Sequence, residues 1–235
     1  MLNPMELENL VPAGLVAARK ACRLCIDSDP GKIRSGASFE FDPHVVSYWS
    51  QWLGHPRPLL LVVGQDFGDT KYFEDQKGKD KPGNKTNENL RELLLCAGFN
   101  PTHPPESDPE TRVYLTNSIL CLKQPPMNSL IYPRWVRACA EKHLKPLVEH
   151  LKPLIIVAMG AWAWRAAQFA FEPTAAPKKF SAAVGKEWKT EKGIRIFAVG
   201  HCSGLGIRNR PWQAQKEDWA RVGEALRKLP QNAER

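Results

Sequence analysis

Four polar side chains follow apolar segments that have the composition of buried strands, and their types suit them to chemistry. Gln65 and Asp66 come directly after the run 59–63, Asn117 lies near the end of the segment RVYLTNS, and His201 follows IRIFAVG. A carboxylate, an amide and an imidazole supply a base or charge stabiliser, a reader of hydrogen-bonding edges and a proton donor. The sequence therefore predicts a site that draws on all three.

The elements that would position these side chains are strands alternating with helices. Apolar runs predict strands at 59–63, 112–118, 154–160 and 194–200, and periodic patterns predict helices at 87–98, 135–151, 161–171 and 213–229. This alternation predicts an α/β fold, a three-layer αβα sandwich with a central four-stranded, mostly parallel sheet, as a single domain over residues 1–235. In such a sheet the carboxyl ends of the strands share one rim, where ligands bind.

The segments between these elements have irregular composition. Residues 173–193 are basic and are expected to form a loop, a short helix is expected between Pro43 and Pro56, and residues 101–109 form a proline-rich loop. Residues 75–85 form a basic, glycine-containing surface loop directly after the Gln65–Asp66 segment. A basic loop in that position is suited to meeting phosphate.

Each candidate residue also has an ordinary structural explanation. Asp66 is able to cap a helix, Asn117 to satisfy a turn, and His201 to be a simple loop histidine. Their corresponding positions at the ends of three different strands favour one shared site.

The composition favours a polyanionic partner. Lys and Arg number 33 against 25 Asp and Glu, which gives a net charge of +8 and an isoelectric point near 9.2. No apolar stretch approaches a transmembrane length, and the first ten residues carry acids where a secretory signal carries bases, so a cytoplasmic protein without a membrane partner is expected. In a reducing compartment, the six cysteines indicate a metal site more than a disulfide framework.

Three motifs, in the order in which they occur, resemble the uracil-DNA glycosylase superfamily. GQDFG at 64–68 resembles the Gly-Gln-Asp-Pro-Tyr motif of the family 1 enzymes, LTN ends at Asn117, and GHCSGLGIRNR at 200–210 resembles their His-Pro-Ser-Pro-Leu loop. The body of the chain is similar to family 4, the iron-sulfur enzymes. That resemblance covers most of the chain, from Cys22 to Arg210.

The cysteine pattern of family 4 is matched at four positions. The family has C-x2-C near the N-terminus, a third cysteine shortly after the Thr-Asn strand and a fourth in the following helix, and these match Cys22, Cys25, Cys121 and Cys139. The resemblance implies a [4Fe-4S] cluster, with a four-thiolate zinc site as the alternative that spacing alone leaves open. Without it, Cys22 and Cys25 are equally explained as small buried side chains.

The resemblance implies hydrolysis of the bond between uracil and deoxyribose in DNA after base flipping, which leaves an abasic site, by an enzyme whose partner is uracil-containing DNA. A monomer is the default expectation for the oligomeric state. It assigns catalysis to Asp66 and His201. It assigns contacts with the base to Gln65, Asn117 and one stacking aromatic residue. It assigns contacts with the rest of the DNA to a wedge leucine and three polar residues. The aromatic candidates are Phe67, Tyr72 and Phe73; the DNA contacts are Ser203, Leu205, Arg208 and Arg210.

Several residues depart from the family patterns. GQDFG is a hybrid of two family motifs, Lys81-Pro82-Gly83 occupies the region of the usual stacking phenylalanine, and Cys202 replaces a proline. Two other functions are therefore weighed. One is a non-catalytic module that binds uracil or damaged DNA; the other is a thiol hydrolase using Cys202 beside His201, which is disfavoured because neighbouring side chains on an extended chain point apart.

Overall fold

A computed structural model describes residues 13–42, 57–100 and 112–229. The short helix expected between Pro43 and Pro56 and the loop at 101–109 lie outside these ranges. Among the described residues, no helix combines the length and apolar composition needed to cross a bilayer.

Ten α-helices and seven strands lie in the described ranges. The helices are α1 (Ala13–Ala21), α2 (Leu24–Ser28), α3 (Thr70–Asp75), α4 (Lys85–Cys96), α5 (Pro133–Cys139), α6 (Lys145–Leu151), α7 (Ala161–Phe171), α8 (Phe180–Ala183), α9 (Gly204–Asn209) and α10 (Trp212–Arg227). The strands are β1 (Ile33–Ser35), β2 (Leu60–Gly64), β3 (Val113–Asn117), β4 (Cys121–Lys123), β5 (Ile155–Met159), β6 (Lys186–Lys189) and β7 (Arg195–Val199). A π-helical turn, Ala140–Leu144, joins α5 to α6.

The main sheet contains the four predicted strands and one more. Its order is β3-β2-β5-β7-β6, and the first four strands are mutually parallel. The prediction of four strands is wrong, because β6 pairs antiparallel with β7 inside the segment 173–193 that was expected to be irregular. The sequence of β6, KEWK, has one apolar residue, which suits an edge strand and gives no strong strand signal.

Helices cover both faces of the sheet, as the three-layer prediction requires. Alternate residues of each strand face opposite sides, so Leu61 and Val63 pack with α5, α6 and α7, whereas Leu60 and Val62 pack with α4 and α10. Every residue of β2, β3 and β5 is buried, which explains why β5 and most of β2 are continuous apolar runs in the sequence.

A second, two-stranded sheet was not predicted. β1 pairs antiparallel with β4, with Ile33 opposite Lys123 and Ser35 opposite Cys121. Both strands have three residues, too few for alternation to be recognised in a sequence. This small sheet fixes the segment that follows β3, which carries Lys123 toward the site.

Gly223 lies where α10 packs closely against the end of α4. A Cβ atom at this position would lie 2.5 Å from the carbonyl oxygen of Ala97, at the end of α4. In an isolated helix, replacing glycine by alanine stabilises by about 1 kcal/mol. We expect Gly223→Ala instead to destabilise the protein by about 1–3 kcal/mol in urea unfolding, because the two helices must move apart. A stabilised variant would contradict this packing.

Candidate active site

A cavity of about 810 Å³ opens where the parallel strands end. Its walls include Gln65 and Asp66 after β2, Asn117 at the end of β3, Gly160 after β5 and His201 after β7. The structure therefore brings together all four polar residues that the sequence singled out. They lie together because the sheet is parallel, so each strand delivers its last residues to the same rim.

Hydrogen bonds fix the carboxyl ends of β2 and β3 relative to each other. The Ser118 hydroxyl donates to the carbonyl oxygen of Gly64 at 2.6 Å, and the backbone N–H of Ile119 donates to the carbonyl oxygen of Gln65 at 3.1 Å. Asn117 pairs directly with Gly64 in the sheet and is 3% exposed. The amide of Asn117 and the Gln65–Asp66 segment thus have one defined relative position.

Asp66 forms a buried ion pair with Lys123. The Lys123 Nζ lies 2.9 Å from Oδ2 of Asp66, with side-chain exposures of 2% and 6%. Gln65 Nε2 donates to the same oxygen at 3.1 Å, and Lys123 also donates to the Met127 carbonyl oxygen at 2.9 Å. A buried carboxylate with a cationic partner and a second donor is held in one orientation.

Lys123 is the main residue that sequence reasoning missed. It ends β4, two residues after Cys121, and nothing in the letters CLK distinguishes a buried lysine from an exposed one. Helix capping, the ordinary alternative for Asp66, is instead carried out by Asp69, whose carboxylate accepts from the backbone N–H of Tyr72 at 2.7 Å.

The environment of His201 determines its protonation and its tautomer. Burial lowers the pKa of His201, against the opposing effect of the Asp66 charge, so the imidazole is neutral at pH 7. The backbone N–H of Ser203 donates to Nδ1 at 3.1 Å, which places the ring proton on Nε2. The chain folds tightly here, because a Cβ on Gly206 would lie 1.8 Å from the His201 carbonyl oxygen.

The family model for the uracil DNA glycosylase superfamily matches residues 52–224, most of the chain. The chain belongs to the uracil DNA glycosylase superfamily. The match includes every cavity residue described above, as well as Cys121 and Cys139, and it begins after Cys22 and Cys25. Members of this superfamily are generally hydrolases that act on DNA.

The three aromatic candidates for base stacking in this superfamily site have different positions. Phe67 and Tyr72 line the cavity, whereas Phe73 is fully buried against Phe39 and Phe41, with ring centroids 5.3 and 5.2 Å away. Trp162, which sequence reasoning did not select, also lines the cavity. Phe73 therefore packs in the core beneath the cavity wall. The sequence alone could not distinguish this buried ring from the cavity-lining rings of Phe67 and Tyr72.

The loop after β7 presents Leu205 at the mouth of the cavity. Leu205 is 66% exposed on the six-residue helix α9, and Ser203 caps this helix by accepting from the Gly206 N–H at 3.3 Å. Arg208 is exposed on the same helix and does not line the cavity. An exposed leucine between glycines is an unusual place for a large apolar side chain, and the wedge role that the resemblance implies for it stays a prediction.

Arg210 has a structural partner that the sequence did not indicate. Its guanidinium forms a two-point ion pair with the carboxylate of Asp218, which is buried and also contacts Arg221. This pairing raises the pKa of Arg210. Arg210 does not line the cavity and is bound to Asp218, and its contact with a DNA phosphate stays a prediction from the resemblance.

Cys202 does not have the environment of a nucleophile. Its side chain is fully buried, its thiol donates to the Thr86 carbonyl oxygen at 3.3 Å, and burial raises its pKa to about 12. Reactive cysteines have lowered pKa values and accessible sulfur atoms. The structure therefore gives no support to a thiol hydrolase that uses Cys202 and His201.

The four cysteines of the predicted cluster approach one another. Cys22 follows α1, Cys25 lies in α2, Cys121 begins β4 and Cys139 ends α5. A hydrogen bond with Cys139 raises the pKa of Cys25, and burial and the charges of Cys139, Cys121 and Cys22 raise it further; the same hydrogen bond lowers the pKa of Cys139. The four sulfur atoms are therefore close enough to act on one another.

This arrangement fits a thiolate-bound cluster in its donor chemistry. Within the described residues, no group of three or more His, Cys, Asp or Glu side chains is arranged so that it could hold a metal ion. In a cluster of four irons each thiolate binds a different iron, so its ligands lie further apart than the ligands of one ion. The observation that supports the fit is that Cys25 is influenced by all three other cysteines, which come from the same segment and from two others.

Lys123→Met tests the buried ion pair. Because it leaves the Asp66 carboxylate buried without its cation, we expect it to lower the free energy of unfolding by about 3–5 kcal/mol. The matched control is Lys71→Met, which removes an exposed i,i+4 pair with Asp75 and should cost no more than about 0.5 kcal/mol.

The double variant Lys123→Met/Asp66→Asn removes both charges and should recover much of the lost stability, since no uncompensated charge remains. Denaturant unfolding of the wild type, Lys123→Met, Asp66→Asn and the double variant measures this coupling. Equal costs for Lys123→Met and Lys71→Met would show that the pair is solvated and not buried.

Proposed function

We propose that this protein is a uracil-DNA glycosylase related to the iron-sulfur family 4, with a family 1-like Gly-Gln-Asp motif. The observation that carries the proposal is the single cavity that combines the carboxylate of Asp66, the amide of Asn117 and the neutral imidazole of His201. The net charge of +8 supports DNA as the partner. The monomeric state and the cytoplasmic location remain predictions from the sequence.

In the proposed complex, DNA binding requires the uridine to leave the base stack. Leu205, exposed at the mouth of the cavity, would fill the space that the base leaves, and Ser203 and Arg208 would contact phosphates. Phe67, Tyr72 or Trp162 would stack on the flipped base. These contacts position the nucleotide without reading the surrounding sequence.

Asn117 would select the base. Its Oδ1 atom would accept from the N3–H of uracil and its Nδ2 atom would donate to O4. Cytosine has an acceptor and a donor at these two positions, the reverse of uracil, so it would not pair with the amide. The burial of Asn117 makes a mismatched pairing costly, because water has little access to the groups left unpaired.

Asp66 and His201 would carry the reaction. The bond between C1′ and N1 breaks, and its electron pair leaves with the uracil anion while positive charge develops on the sugar. Asp66 opposes that charge and orients a water, whose oxygen bonds to C1′ and whose proton is released. His201 donates a hydrogen bond from Nε2 to O2 of the leaving anion, which its neutral tautomer permits without transferring a proton.

A [4Fe-4S] cluster would be held by Cys22, Cys25, Cys121 and Cys139. When bound it would supply structural rigidity, because hydrolysis of a glycosidic bond transfers no electrons. Cys121 begins the strand that ends at Lys123, so the cluster would help to hold the partner of Asp66 in place.

The function is tested with an oligonucleotide that contains one uracil, followed by alkaline cleavage at abasic sites. We expect cleavage by the wild-type protein, a loss of about 100-fold in kcat for His201→Ala, and no effect for His150→Ala, which changes an exposed histidine on α6. Asn117→Ala should lose activity on uracil and also its discrimination against cytosine.

If enzyme in excess binds the uracil oligonucleotide but releases no base, the protein is a non-catalytic binding module. Full activity in both His201→Ala and Asn117→Ala would retain the function and reject the assigned pocket.

The cluster is tested by metal analysis of protein purified without oxygen. We expect brown protein with about four iron and four sulfide per chain, and a large loss of both in Cys139→Ser. The control is Cys96→Ser, which alters a half-buried cysteine outside the set and should keep the iron. Colourless protein with one zinc per chain would reject the iron-sulfur assignment.

A further inference from the structure

The loop that carries His201 is joined at its base by one buried side chain. This loop, residues 201–210, follows β7 and also brings Ser203 and Leu205 to the cavity. Gln215 lies in the first turn of α10, directly after the loop, and is fully buried. Gln215 has no role in the reaction described above.

The amide group of Gln215 contacts both ends of the 201–210 loop. Its Nε2 atom donates to the His201 carbonyl oxygen at 3.3 Å and to the Arg210 carbonyl oxygen at 2.9 Å. A glutamine amide has two N–H donors, so each carbonyl oxygen takes one of them. The reversed amide would place Oε1 against both carbonyl oxygens, which determines the direction of the group. Gln215 therefore joins the first and last residues of the loop.

The polar character of Gln215 is explained by what it holds. A buried amide costs free energy unless it is hydrogen-bonded, and an apolar side chain of similar size fills a core position without that cost. Asp218, one turn further along α10, binds the side chain of Arg210. Helix α10 therefore holds the end of the loop at two points, and through Gln215 it also holds the beginning.

Close packing makes the position of His201 sensitive to this contact. A Cβ atom on Gly160 would lie 3.2 Å from Cβ of His201, and a Cβ atom on Gly200 would lie 3.0 Å from Cδ of Gln215. The ring of His201 is held within its own loop by the N–H of Ser203, so a shift of the loop moves Nε2 with it. A misplacement of about 1 Å at a reacting centre can cost about 100-fold in rate.

We propose that Gln215 is a positioning residue for the proposed glycosylase reaction, because it holds the two ends of the 201–210 loop together and so directs Nε2 of His201 toward the leaving base. This inference rests on the proposed function. Gln215 does not line the cavity, so it acts through His201 and not on the substrate.

The rate test uses single-turnover release of uracil by Gln215→Leu, which keeps the approximate size of the side chain and removes both donors. We expect the rate to fall about tenfold or more, and to fall little further when the same change is made in His201→Ala. The control is Gln213→Leu, an exposed glutamine on the same helical turn, which should keep the wild-type rate. An undiminished loss in the His201→Ala background would overturn the proposal, because Gln215 would then not act through His201.

Gln215→Glu tests the donor itself with the shape of the side chain retained, and it serves equally if Gln215→Leu does not fold. A carboxylate donates no hydrogen bond, whereas a protonated carboxyl donates one, and burial favours the protonated form. The rate of Gln215→Glu relative to wild type should therefore rise as the pH is lowered from about 8 to about 6. A ratio that does not change with pH would contradict the role of the two donors.

Nitrogen NMR of the His201 ring separates this inference from the proposed function, because it needs no turnover. In wild type we expect the ring proton on Nε2 and a lowered pKa of His201. In Gln215→Leu the pKa should rise toward its ordinary value and both tautomers should appear, since the loop admits water. This change in a protein that releases no uracil would support the hold of Gln215 on the loop and reject the glycosylase. An unchanged His201 titration in folded Gln215→Leu would overturn the inference.

Discussion

The ion pair between Lys123 and Asp66 is the interaction on which the organisation of the site depends. Removing two charges from water costs several kcal/mol for each ion, so the pair persists only where the fold holds both partners in register. β2 delivers Asp66 at its carboxyl end, and β4 delivers Lys123 through its pairing with β1. The same short strand begins at Cys121, so one element connects the group of cysteines to the carboxylate in the cavity.

This arrangement gives the two proposed catalytic groups opposite electrostatic roles. Asp66 forms a buried pair with Lys123 in a position that suits it to stabilising positive charge, whereas burial lowers the pKa of His201 and leaves the neutral ring able to donate from Nε2. Both known contacts of Asp66 are to Oδ2, so Oδ1 is the oxygen that would hold a water. A cavity wall that opposes charge on the sugar and stabilises charge on the base is the combination that glycosidic cleavage requires.

Much of the sheet and of the candidate site could be predicted from the sequence, because fully buried strands have a strongly apolar composition. Four largely apolar segments predicted the parallel strands of the sheet. Because the ends of parallel strands share a rim, the prediction also placed Asp66, Asn117 and His201 together. The edge strand β6 was missed because one apolar residue in four carries no signal. The ion pairs of Lys123 and Arg210 could not be predicted, since the partner of a charged residue depends on tertiary contacts.

The most direct test of this account is the single-turnover rate of uracil release by wild type, Lys123→Met, Asp66→Asn and the double variant. If Lys123 acts by holding Asp66, its removal slows the wild-type enzyme strongly and has little further effect once Asp66 is replaced. Losses that multiply independently in the double variant would contradict the account, because they would show that the ion pair does not organise the reaction.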